Sequence, residues 1–245
     1  MRSGILRYSI PSSITALSLL LGLTSIVTMQ VGELELAAWM IVWCGLLDTF
    51  DGVAARLLKA TSEFGAEFDS MADLVAFGVA PSMLVFNAGL QIAGVDVDSG
   101  QFWVLLTACG IFVLAGAMRL ARFNLTSDVP HGGWFAGVPI TAAGGGLVSS
   151  MVIVLIRHDD VAGVLPLHLY LPILMFVLAI LMVSRVRFPK ATMRKSKLIN
   201  AFQIINIVAI VLCGVFRVFP EYLFGIGIFL LVGGIIAGRL TRVSA

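Results

Sequence analysis

Asp48 and Asp51 stand three residues apart, and Asp69 and Asp73 four apart, in the stretch DTFDGVAARLLKATSEFGAEFDSMAD. On helices either spacing puts both side chains of a pair on one face, with Cβ atoms roughly 5–6 Å apart. The connection KATSEF is short, so the two helices it joins are adjacent and antiparallel, and their acidic faces meet. Four carboxylates gathered this way cannot all stay ionised without a cation among them. Ligands that are all oxygen point to a hard divalent ion, Mg2+, Mn2+ or Ca2+, and four carboxylates suffice for two such ions. A lone acidic residue at a helix end is ordinarily solvated, and Arg56 and Lys59 are near enough in sequence to pair with two of them. That reading does not extend to four on matched faces, because ionisable residues inside a membrane mark functional sites. Glu63 and Glu67 fall in the connection or off the acidic face and are read as solvated.

Small residues surround the acidic ones. Gly52 follows Asp51, Ala54 and Ala55 come next, and Gly65 precedes Asp69 by four. Their lack of bulk lets a ring or phosphate approach closely, and equally lets helices pack tightly in a membrane. Arg56 lies two turns beyond Asp48 on nearly the same face, where a guanidinium suits a phosphate.

The elements that position these residues are membrane spans. The 245 residues are 59% hydrophobic and 12% charged, with a mean hydropathy of +1.03, which excludes an ordinary soluble domain. Apolar runs near the ~20 residues needed to cross hydrocarbon fall at 11–30, 35–58, 66–92, 101–123, 137–156, 163–184, 198–217 and 221–239. With the N-terminus in the cytoplasm, the inner segments hold Arg2, Arg7, Arg56, Lys59, Arg119, Arg122, Arg185, Arg187, Lys190, Arg194, Lys195, Lys197, Arg239 and Arg242. Only Arg157 and Arg217 of the 16 basic residues then lie outside. This asymmetry favours an all-α polytopic protein with eight spans and both termini cytoplasmic. Residues 1–10 read as a basic, interfacial segment with no cleavage site after it. The loop SRVRFPKATMRKSK, residues 184–197, reads as a solvated contact for anionic lipid. Cys44, Cys109 and Cys213 sit in apolar runs without CxxC spacing and read as buried small hydrophobes. His131, His158 and His168 show no ligand spacing, and the last two read as solvated loop residues. Gly234 and Gly238 form a GxxxG pair suited to a helix contact, within the chain or between two copies.

The string Asp48-x-x-Asp51-Gly52-x-x-Ala55-Arg56, then eight residues, then Gly65-x-x-x-Asp69-x-x-x-Asp73, resembles the signature of the CDP-alcohol phosphotransferase family at every fixed position. The resemblance implies a six-helix catalytic core, here residues 11–184. Two further C-terminal transmembrane helices follow within 198–245, after the basic loop at 185–197. It also implies a homodimer and a reaction in which an alcohol displaces CMP from a CDP-linked substrate. In that family the first span and a Ser or Thr between the acidic helices contact the nucleotide. The matching positions are Pro11, Ser12, Ser13, Ile14 and Thr15, and Ser62, joined for CDP-lipid binding by Gly52, Ala55, Arg56 and Gly65. Ser12 stands where the family often has asparagine.

Three flanking strings, LVAFGVAP (74–81), RLARFN (119–124) and WFAGVPITAAGG (134–145), resemble the integral-membrane, phosphatidylserine-forming branch of the family. The expected reaction is transfer of the phosphatidyl group from CDP-diacylglycerol to L-serine at the cytoplasmic face of the cell membrane. Two divalent ions (Mg2+ or Mn2+, with Ca2+ as an alternative) would sit on Asp48, Asp51, Asp69 and Asp73. Asp73 would be the general base, and Arg119, Arg122 and Asn124 would receive serine. Membrane lipids and a second copy of the chain are expected partners, and nucleic acid is not. The alternatives are another acceptor (glycerol 3-phosphate, inositol phosphate or choline) and, in a different class, a transporter with a carboxylate-lined path. The acidic motif is not repeated and sits near one end of its helices, unlike the mid-membrane sites of repeat-built transporters.

Overall fold

Apolar residues dominate nearly every segment, so backbone hydrogen bonds must close within each segment, and helices do this. The computed structural model describes residues 2–58, 62–126, 134–189 and 197–243. In chain order the helices are α1 (Arg2–Gln30), α2 (Leu34–Leu58), α3 (Glu63–Asp73), α4 (Ala80–Gln91), α5 (Gly100–Thr126), α6 (Ser149–Arg157), α7 (Asp159–Val164), α8 (Leu167–Val183), α9 (Lys197–Phe216) and α10 (Pro220–Val243). Two π-helical stretches interrupt this order. Leu74–Val79 joins α3 to α4 in one rod, and Thr141–Val148 leads into α6.

Five helical stretches are long and apolar enough to cross a membrane: Ile10–Gln30, Leu34–Ala55, Glu63–Gln91, Gly100–Leu125 and Pro220–Ala237. Thr141–Arg157, Leu167–Val183 and Asn200–Phe216 are apolar but shorter. These eight stretches coincide with the eight apolar runs of the sequence. The chain is an integral membrane protein built of helices. α1 is one continuous helix from Arg2, passing through Pro11 without a break in its assignment.

The expectation of an all-helical chain needs one amendment. Strand β1 (Trp134–Ala136) pairs antiparallel with β2 (Arg187–Pro189), with Phe135 opposite Phe188. Two segments read as loops are thereby tied together.

Burial follows a membrane logic. Trp39, Phe77, Phe112, Leu84, Ile153 and Met175 are fully buried, while Leu20, Val27, Leu114, Ile180 and Ile205 face outward. The outward apolar residues suit lipid, and the interior holds the polar ones: Ser18, Ser25, Asp51, Ser149, Ser150 and Arg119 are all buried. The three cysteines are buried and unpaired, as expected.

Candidate active site

The first rods to pack are α1 and α2. Where they cross, Cys44 Sγ donates to the Ser18 carbonyl at 3.3 Å. Farther along the same pair, the Thr15 hydroxyl lies 2.9 Å from Asp51 Oδ2 and 3.1 Å from the Pro11 carbonyl. Asp51 is only 6% exposed, and this hydroxyl orients it. The family resemblance set Thr15 among the CDP-lipid contacts, but its bond to Asp51 was not legible in the sequence.

Ser62 begins α3. Its Oγ accepts from the Gly65 N–H at 3.0 Å, in the arrangement that satisfies a free donor at a helix start. A side chain at Gly65 would press on that same oxygen, at 3.0 Å. Both motif residues therefore have a local structural duty. Gly52 differs, since a Cβ there would meet nothing within 4 Å, which leaves open space beside Asp51. The side chain of Arg56 lies outside the described residues, as do Lys59 and His131.

The four aspartates resolve into three plus one. One carboxylate oxygen from each of Asp48, Asp51 and Asp69 lies within 4.8 Å of the others. Asp73, one turn further along α3, is outside that set but within electrostatic reach of Asp48, Asp69 and Arg119. Among the described residues none of the four forms an ion pair with a basic side chain. Converging carboxylates in a partly buried setting, paired with no basic side chain among the described residues, fit a hard divalent ion. The cluster could hold a metal ion.

Arg119 closes the far side. It is 8% exposed, and its Nε is buried without a hydrogen-bond partner among the described residues. A buried guanidinium with an unmet donor, beside Asp73, is equipped to receive an acidic ligand group.

Arg122 and Asn124, expected to receive serine, also hold neighbouring elements. Arg122 donates to the carbonyls of Val183 (2.8 Å), Ala136 (2.9 Å), Met182 (3.2 Å) and Ser184 (3.4 Å). These include the free carbonyls at the end of α8, so its guanidinium ties α5 to α8 and β1. Gly137 beside it has φ +79, and a side chain there would strike the Met182 carbonyl. Asn124 accepts from the Ser70 hydroxyl and donates to Glu67 Oε2, both at 3.1 Å. It thereby braces α5 against the helix that carries Asp69 and Asp73. Glu67 is exposed, as expected, but it also holds Asn124.

The fold and this site fall within a known family. Residues 8–183 match the family described as CDP-alcohol phosphatidyltransferase, and the chain belongs to it. It is 36% identical over 184 residues to a CDP-diacylglycerol–serine O-phosphatidyltransferase of Helicobacter pylori, covering 74% of this chain and 72% of the relative. Proteins of the same name from Bacillus subtilis (36% over 185 residues, 74% and 89%) and Methanocaldococcus jannaschii (31% over 183 residues, 74% and 74%) are also similar.

Proposed function

We propose that this protein transfers the phosphatidyl group from CDP-diacylglycerol to the hydroxyl of L-serine, giving phosphatidylserine and CMP. The observation that carries the reading is the convergence of Asp48, Asp51 and Asp69, unpaired with any basic side chain among the described residues, in a chain similar over three quarters of its length to proteins named for that reaction.

Asp48, Asp51 and Asp69 would hold divalent metal, with Asp73 completing a site for two ions. When bound, such ions would neutralise charge on the diphosphate and on departing CMP. The protein's own groups do the rest. Thr15 fixes Asp51, and the open space over Gly52 admits the diphosphate beside the carboxylates. Ser12, Ser13, Ala55 and Arg56 complete the CDP-lipid contacts. Arg119 receives the serine carboxylate, which sets the hydroxyl toward Asp73. Asp73 takes the hydroxyl proton as the serine oxygen bonds to the phosphorus carrying diacylglycerol, and the bond from that phosphorus to the CMP oxygen breaks. Positioning and charge stabilisation account for most of the acceleration. Arg122 and Asn124, which the sequence groups with Arg119, are assigned to bracing α5 against its neighbours.

The reading includes eight spans, both termini and the site on the cytoplasmic side, an interfacial segment at residues 1–10, and a homodimer. The basic asymmetry supports the orientation. The decisive assay supplies purified protein with CDP-diacylglycerol, Mn2+ or Mg2+ and labelled serine. CMP and labelled lipid should appear together. Glycerol 3-phosphate, inositol phosphate and choline are run beside serine; preference for any of them overturns the choice of acceptor. No CMP with any alcohol overturns the transferase reading.

A further inference from the structure

Two strings that set the serine-like resemblance, LVAFGVAP and WFAGVPITAAGG, contribute no side chain to the chemistry above. The structure brings them together at a crossing of two π-helical stretches. Leu74–Val79 begins directly after Asp73, and its widened turn shows in the Ala80 N–H bonding back to the Val75 carbonyl. Pro81 lacks an N–H for the Phe77 carbonyl four residues earlier, so the ordinary ladder cannot run through this turn. The facing stretch, Thr141–Val148, is widened likewise, with the Ser149 N–H reaching the Gly144 carbonyl. Such widened turns act as one-residue insertions and often occur at functional sites.

The crossing is tight on one face. A Cβ on Gly144 would collide with the Phe77 carbonyl oxygen, which is backbone and cannot rotate away. A Cβ on Gly145 would lie 2.8 Å from the Phe77 ring, which a smaller side chain would relieve. A Cβ on Gly146, in the same stretch, would meet nothing closer than 4.0 Å. On the opposite side of the widened turn, Gly22 of α1 packs with its missing side chain 3.0 Å from the Ala76 Cα. Ala76, Phe77 and Gly78 are all buried. The turn that follows Asp73 is therefore packed closely against Gly144 at the Phe77 carbonyl and against Gly22 at Ala76.

We propose that Gly144 is a positioning residue for the reaction, setting the axial and rotational register of the α3 rod so that Asp69 and Asp73 face Asp48 and Asp51 on α2. The inference rests on the roles given above to those aspartates. Because the acidic set straddles α2 and α3, a displaced α3 rod separates its members, whereas a general loss of packing does not change the set in molecules that still fold. Shifts of about 1 Å at a reacting group can cost roughly 100-fold in rate.

The test uses the full-length protein in lipid nanodiscs, with turnover per folded molecule, both KM values and Mn2+ affinity by electron paramagnetic resonance. Gly144→Ala is expected to lower kcat roughly 100-fold and weaken Mn2+ binding about tenfold, with serine KM little changed. Gly146→Ala makes the same chemical change on the same stretch and should match the parent. Gly145→Ala should lose part of both quantities and regain them when Phe77→Leu is added. Gly144→Ala matching Gly146→Ala in turnover and Mn2+ affinity overturns the proposal, as does a loss confined to folded yield. Should Gly144→Ala not fold, the Gly145→Ala pair decides: recovery with Phe77→Leu supports the register lock, and an unaltered Gly145→Ala overturns it. An Asp73→Asn arm separates the two levels. Full activity there removes Asp73 from its role, while the Mn2+ titration of Gly144→Ala still reports whether Asp69 keeps its place.

Discussion

The opposite ends of these helices treat their charged groups in contrasting ways. At the start of α2, Glu35 accepts from Arg157 Nη2 at 2.6 Å and Nε at 3.0 Å, and from Trp39 Nε1 at 3.2 Å. The same guanidinium stacks 5.6 Å from the centre of a Trp39 ring and donates to the Arg217 carbonyl. Next to it, His158 Nε2 lies 2.8 Å from Glu221 Oε1. Toward the other end of α2, Asp48 and Asp51 meet Asp69 with no basic side chain among the described residues to answer them. Among the described residues, cations thus answer the carboxylates that serve structure, and none pairs with the three that converge. That contrast within one molecule argues for an external cation at the acidic end more strongly than the acidic cluster alone.

The contrast can be broken at five points. Asp48→Asn, Asp51→Asn or Asp69→Asn should abolish turnover, beyond the roughly 10²–10⁴-fold typical of losing an acid–base group, and remove tight Mn2+ binding. A variant that still turns over in Mn2+ would end the metal-ligand assignment. Asp73→Asn is expected to lose about 10²–10⁴-fold in kcat while binding CDP-diacylglycerol, as a filter-binding or fluorescence titration would show. Arg119→Ala should raise the serine KM roughly 10- to 150-fold, the equivalent of about 1.5–3 kcal/mol for a charged hydrogen bond. Equal changes in the KM for lipid would argue against a carboxylate contact. Thr15→Val keeps the shape but removes the donor to Asp51, and Mn2+ affinity should fall roughly 10- to 100-fold. Glu35→Gln, at the paired end, should leave turnover unchanged and cost at most about 1 kcal/mol of stability, since both partners are about a third exposed. Loss of activity in Glu35→Gln would show that the two ends are coupled.

Much of this was legible in the sequence, for reasons that differ by residue. The eight apolar stretches follow from composition, because a lipid environment demands a continuous run of apolar side chains. The meeting of Asp48 and Asp51 with Asp69 follows from helical spacing and a short connection. The separation of Asp73 from that trio does not, since one helical turn is below the resolution of a face-level argument. Arg119 and Arg122 look alike in RLARFN, three residues apart near the same helix end. Only the position of the α8 carbonyls distinguishes the buried guanidinium whose Nε is unmet among the described residues from the one holding Val183 and Ala136. His158 is the loop residue it was read as, but its partner Glu221, 63 positions later, is invisible to local patterns. The π-helical turns left a trace that was readable in principle: Pro81 inside an apolar run signals an interrupted ladder, and the glycines at 144 and 145 signal a close approach.

The family match ends at residue 183, which invites a shortened version of the protein cut just beyond it. The packing beyond that point advises against it. Gly234 on α10 seats the Phe188 ring of β2, a Cβ on Gly227 would lie 3.2 Å from the Leu147 side chain, and Trp43 of α2 donates to the Gly214 carbonyl of α9 at 2.7 Å. A truncated protein would bare Phe188 and leave Trp43 with an unmet donor, so the last two helices serve as a buttress. A chain cut at the edge of the family match would forgo the packing that these two helices supply to it.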